Sequence, residues 1–137
     1  MEAAAVRSSI DLTLVGADVP LLMPAHLEYR ANDPYAVTAL FHIGAERPVR
    51  WVFSRDLLDE GLVHDVGEGD VQVVPSRDAL GYHTVQLRLA SPDGVAVLEA
   101  SADAVLEFLG RSYGLVPPGT EALHMDLDAA LTRILTS

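Results

Sequence analysis

The chain has 137 residues, half of them hydrophobic and 21% charged, which fits one globular domain spanning residues 1–137 and excludes a disordered polymer. Twenty acidic residues against nine basic ones, all arginine, give a formal charge of -11 that disfavours nucleic acid and anionic lipid as partners. The absence of cysteine excludes disulfides, thiolate catalysis and cysteine-ligated metals.

Apolar runs fall far short of the roughly 18 residues that suggest a membrane span, and Met1 to Val6 lacks the basic start of a signal peptide. A soluble, cytoplasmic protein without membrane insertion is expected. Ser9 to Val15 alternates, with Ile10, Leu12 and Leu14 on one face, the pattern of a half-buried strand. Pro20 to Pro24 is expected to break regular structure before a short strand, His26 to Tyr29, and a turn at Asn32-Asp33-Pro34. Ala36 to Ile43 and Val49 to Phe53 read as a central hairpin, apolar at nearly every position, and so placed in the middle of a sheet or in a contact between protomers.

Ser54 can cap a short acidic helix, Arg55 to Glu60, which Gly61 would end in the left-handed conformation. Asp65 to Asp70 is a Gly-rich acidic turn, and Val71 to Val74 is a strand that Pro75 ends. His83 to Leu89 directs Val85, Leu87 and Leu89 inward and Thr84, Gln86 and Arg88 outward. Ser91-Pro92-Asp93-Gly94 is a turn, and Val95 to Glu99 returns antiparallel. Ser101 can cap a helix with Ala102, Val105, Leu106, Leu109 and Tyr113 on its buried stripe. The extended connector Val116-Pro117-Pro118-Gly119 stops it, and Asp126 caps a last helix whose apolar face runs from Leu127 to Leu135. Strands followed by helices indicate an α+β fold: a twisted antiparallel sheet with a barrel-like core, a short helix after the central hairpin and two amphipathic C-terminal helices.

Catalytic chemistry finds little support. His26, His42, His64, His83 and His124 are far apart, with neither i, i+4 pairs nor HExxH, so no metal site is expected. Gly67-Glu68-Gly69-Asp70 lacks the alternating oxygens and closing glutamate of a calcium loop. Asp56, Asp59 and Glu60 suit the solvated face of a capped helix better than a general acid/base pair, and no serine stands in a nucleophile elbow. Tyr35, Phe41, Trp51 and Phe53 form an aromatic cluster read as core or oligomer packing. No cofactor, catalytic or metal residue is expected; a ligand pocket beneath a helix, or an unrecognised enzyme, is the alternative.

Several motifs point further: DPYAV at Asp33 to Val37, WVFSRDLLDEGL at Trp51 to Leu62, GDVQVVPS at Gly69 to Ser76, SPDGVAVLEA at Ser91 to Ala100, FLGR at Phe108 to Arg111, VPPGTE at Val116 to Glu121 and DLDAALTRIL at Asp126 to Leu135. In this order and spacing the chain resembles the SsgA-like sporulation-specific cell-division proteins of actinobacteria from about Pro24 onward. The resemblance implies a fold similar to Whirly and guide-RNA-binding proteins and an oligomer of threefold symmetry. It further implies a non-enzymatic regulator at the septum that recruits or positions the tubulin-like division protein FtsZ through protein contacts, alongside other SsgA-like proteins. Arg55, Asp56, Asp59 and Glu60 on the short helix, with Pro117, Pro118, Gly119 and Glu121 in the connector, are the positions nominated to bind a division partner. All are expected to be exposed, and Glu121→Ala in its polar turn is expected to be nearly neutral.

Overall fold

The computed structural model describes residues 4–16, 21–42 and 48–125. Eight strands form one antiparallel sheet: β1 (Ala5–Leu14), β2 (Leu21–Arg30), β3 (Ala36–His42), β4 (Pro48–Ser54), β5 (Val66–Glu68), β6 (Val71–Arg77), β7 (His83–Ser91) and β8 (Gly94–Ser101). Helix α1 (Arg55–Glu60) follows β4, and helix α2 (Ala102–Leu115) follows β8. A 3-10 turn, Glu121–His124, comes last. The strand order β4-β3-β2-β1-β8-β7-β6-β5 departs from sequence order only where β1 lies beside β8. The sheet curls until Phe41, Val49 and Trp51 line one cavity together with Leu89 and the β7–β8 turn, so that it forms a nearly closed barrel.

Alternation is what makes these segments strands. In β3, Val37, Ala39 and Phe41 are buried while Thr38 and Leu40 are half-buried on the other face. In β7, Val85, Leu87 and Leu89 face the core, as the sequence periodicity requires. These join Leu12, Leu27, Tyr29, Val73 and Leu98 in one continuous core. Each large apolar side chain so buried contributes about 1.5–3 kcal/mol. Helix α2 closes the core by lying against β1, β7 and β8.

The paired hairpin β3–β4 matches its sequence reading, but its place does not. Strand β4 is the last in the sheet order and not a central strand. Two proline-bearing strands also run further than expected. Strand β2 passes through Pro24, which sits opposite Asp11, and the ladder to β3 begins only at Ala25. Strand β6 passes through Pro75, opposite Val85, beyond the point where β5 stops pairing at Val73. Each proline therefore lies beside the end of a ladder, where a missing N–H is tolerated.

Ser54 caps α1 by accepting from the Leu57 amide at 2.9 Å. Gly61 ends it with φ -66°, an ordinary right-handed conformation, so the expected left-handed cap is absent. The reason for glycine here is space: Gly61 is buried, and a Cβ would overlap the Val73 side chain. Gly94 does require its positive φ, 136°, in the Ser91–Gly94 turn. On α2 the buried stripe is Ala102, Val105, Phe108, Leu109 and Ser112, while Leu106 is exposed and Tyr113 only partly covered. The expected last helix from Asp126 onward lies outside the described residues.

Candidate functional site

Arg55 opens α1, a short helix that also buries Leu57 and Leu58. Its position one helical turn before Leu58 carries it to the apolar side, and it is only 1% exposed. It therefore cannot belong to a docking surface, contrary to the expectation for this position. A buried guanidinium is tolerable only when its donors are met. Nη1 donates to the Val116 carbonyl at 2.8 Å and to the Ser112 carbonyl at 3.3 Å, and Nη2 donates to Glu121 Oε1 at 3.0 Å. The guanidinium carbon lies 4.7 Å from the Tyr29 ring centroid and 4.8 Å from that of Tyr113. Such faces attract a desolvated cation. Nε alone lacks a hydrogen-bond partner among the described residues.

Glu121 reaches this cation because of the turn before it. The Thr120 amide donates to the Pro117 carbonyl at 3.1 Å, with Pro118 and Gly119 as the central residues and Gly119 at φ +86°. Proline followed by a glycine of positive φ is the signature of a type II turn. Glu121 is 8% exposed, so its expected place in an exposed polar turn is also corrected. The amides of Glu121 and Gly119 and the Arg55 guanidinium hold its carboxyl below its ordinary 4.5. Burial pushes the Tyr113 phenol up to about 12, with the Asp59 charge adding to the rise and Arg55 opposing it. Burial likewise raises the Tyr29 phenol, whose hydroxyl donates to the Pro34 carbonyl at 2.9 Å.

The two nominated segments are thus joined, through a pair separated by 66 positions in sequence. The other six residues, Asp56, Asp59, Glu60, Pro117, Pro118 and Gly119, are exposed on either side of this joint. The sequence alone does not mark Tyr29, Ser112, Tyr113 and Val116 as its members. For Arg55 a signal existed, since it shares a helical face with Leu58; for the tyrosines there was none beyond their place in apolar strands and helices. In the aromatic cluster, Phe41 and Phe53 are buried, Trp51 is half-buried, and Tyr35 is exposed. Among the described residues no three His, Asp or Glu side chains gather in a metal-binding arrangement, and no helix is long and apolar enough to cross a membrane.

Residues 23–121 match the family described as Streptomyces sporulation and cell division protein, SsgA. The chain is 52% identical to the sporulation-specific cell division protein SsgB of Streptomyces coelicolor over 122 residues, covering 89% of this chain and 88% of that protein. It is 39% identical to SsgB of Thermobifida fusca over 132 residues, 96% of this chain and 95% of the relative. A solved structure from work relating SsgB mutations to longitudinal cell division in sporulating Streptomyces coelicolor superposes with a TM-score of 0.85 at 48% identity, covering 91% of this chain and 98% of the other. The crystal structure of the SsgA-like protein of Thermobifida fusca gives 0.86 at 38% identity, with 97% of both chains covered. With the family's motifs, its sequence relatives and its barrel all present, this chain belongs to the SsgA family of sporulation and cell division proteins.

Proposed function

We propose that this chain regulates sporulation-specific cell division through protein contacts and without catalysis, as a cytoplasmic protein that gathers at septum sites and helps position FtsZ there. The observation that carries this reading is the buried Arg55–Glu121 joint: it fixes α1 and the Pro117–Thr120 turn to one another while leaving Asp56, Asp59, Glu60, Pro117, Pro118 and Gly119 exposed. A preordered surface loses little conformational entropy on docking. The shifted pKa values of Tyr29, Tyr113 and Glu121 have their causes in burial within that joint and in its charges and hydrogen bonds. The nominated binding residues are these six, with Arg55 and Glu121 as the residues that position them.

Assembly as a homotrimer belongs to the same reading. Strand β4 pairs on one side with β3 and ends the sheet order, and Val52 on it is 50% exposed, so the edge offers backbone donors and an apolar side chain to a second copy.

The test is Asp56→Lys combined with Asp59→Lys, expressed in a strain lacking the gene. Circular dichroism should show a native fold, because both residues are exposed, while sporulation septa should be misplaced and two-hybrid contact with FtsZ lost. Normal septation by the folded variant would remove this surface from the function.

A further inference from the structure

Strands β1 and β8 pair at Thr13–Glu99 and Leu14–Leu98, and the Val15 amide bonds the Val97 carbonyl at 2.9 Å. In the other direction, toward Asp11 and Ser101, they part, and a cleft of about 550 Å³ opens between them beside the start of α2. Four carboxylates line it from four different elements: Asp11 on β1, Glu99 on β8, Asp103 in the first turn of α2 and Asp78 in the β6–β7 loop. No arginine lines it, and neither ion pair among the described residues involves these acids. Asp78 spends Oδ1 on the amides of Leu80 and Tyr82, and Glu99 Oε2 accepts from Gln86 at 3.3 Å. Asp11 and Asp103 have no side-chain hydrogen bond among the described residues.

A second, independent feature lies in the same cleft. Thr84 is on the outward face of β7, opposite to Val85 and Leu87, and its cross-strand partner Ser101 lines the cleft with it. The expectation that Thr84 faces solvent fails, for it is 7% exposed. Its Oγ1 is buried with no hydrogen-bond partner. Buried hydroxyls in native proteins are nearly always satisfied, so an orphan in a cavity wall marks a place for a ligand donor. The charge and the orphan acceptor ask for the same thing, a cation that carries several N–H groups.

We propose that this cleft is a binding site for an arginine side chain presented by an extended segment of a partner protein. The carboxylates are not gathered tightly enough for a metal ion. A guanidinium, with five donors spread over a plane, can bond to separated acceptors where an ammonium meets only those around one point. Tyr82 supplies an exposed ring on the rim for stacking on that plane, and Leu22 an apolar contact for a neighbouring residue of the segment. That rim is what favours a peptide over a free polyamine. The site is separate from the α1–connector surface, and its test does not depend on the division role.

Calorimetric titration of the full chain with the peptide Ala-Leu-Arg-Leu-Ala tests it, with the citrulline counterpart and spermidine as probes. The arginine peptide should bind at least tenfold more tightly than the citrulline peptide, and weaken as salt rises. It should also bind at least tenfold more tightly than spermidine. Asp11→Asn with Asp103→Asn should reduce binding at least tenfold while the thermal midpoint does not fall. Thr84→Val should weaken binding several-fold without lowering that midpoint, which separates a lost ligand contact from a damaged fold. Equal binding of arginine and citrulline peptides, equal binding of spermidine, unchanged binding by the Asn variant, or no heat at about 1 mM peptide would each overturn the assignment.

Discussion

At the scale of single residues, Arg55 shows how a charge can be a framework component. Its guanidinium ties α1 to the end of α2 and to the connector, so removing it strands Glu121 and two carbonyls together. Arg55→Met should cost about 3 kcal/mol or more, as breaking one side of a buried ion pair does, measured by urea denaturation. Glu121→Gln keeps the shape and removes the charge. Because the folded carboxyl lies below 4.5, the ion pair's contribution is complete above that value and is lost as pH falls through the folded pKa. Wild type should therefore melt several degrees above Glu121→Gln at pH 7, with the gap closing as pH falls toward 3. A gap that stays constant across that range would show that the charge of Glu121 is not what the joint uses. Glu121→Ala, nearly neutral if the residue stood in an exposed polar turn, should destabilise the fold because it leaves the buried Arg55 unpaired.

At the scale of elements, the sequence is legible where local chemistry decides and opaque where a distant partner does. Apolar runs bounded by turn residues are enough to place β3 and β4, alternation is enough to place β7, and Pro92 with Gly94 is enough to place the turn after which β8 returns. Pro24 and Pro75 look like stops in the sequence because a proline in a strand is costly unless the adjoining ladder has ended, and where a neighbouring strand ends is not written nearby. The α2 stripe misplaced Leu106 for Phe108 because both are apolar and only the packed sheet selects between them. The joint itself needed a partner 66 positions away, so its segments could be nominated while the direction of Arg55 could not. Gly61 is a similar case. Its helix-ending role was legible, but the constraint comes from Val73 on β6. Gly61→Ala should cost about 1–3 kcal/mol through overpacking, and the same change in a Val73→Ala background should cost clearly less. Equal costs in both backgrounds, by thermal melting, would mean that the two residues do not compete for space.

At the scale of the whole molecule, the nearly closed barrel leaves the side of β4 opposite β3 without a strand partner among the described residues. An open strand edge is a template for further pairing unless it is short, charged or covered. Here Arg50 and Val52 alternate with Trp51 and Phe53, which face inward, so the edge carries one charge and one half-exposed valine. A net charge of -11 repels copies of the chain from one another at long range, and that repulsion is screened within about 8 Å at physiological salt. Short-range apolar and backbone contacts at β4 can then decide the assembly. In the proposed trimer, light scattering at physiological salt should give three times the 14.7 kDa of one chain. Val52→Lys should reduce that mass to a single chain, because an ammonium buried between copies has no acid to meet it at this edge. The same variant should alter the stability of the isolated chain by no more than about 0.5 kcal/mol, as expected for a surface substitution. A wild-type mass of one chain would remove the trimer, and a Val52→Lys protein that remains three chains in mass would move its contact away from β4.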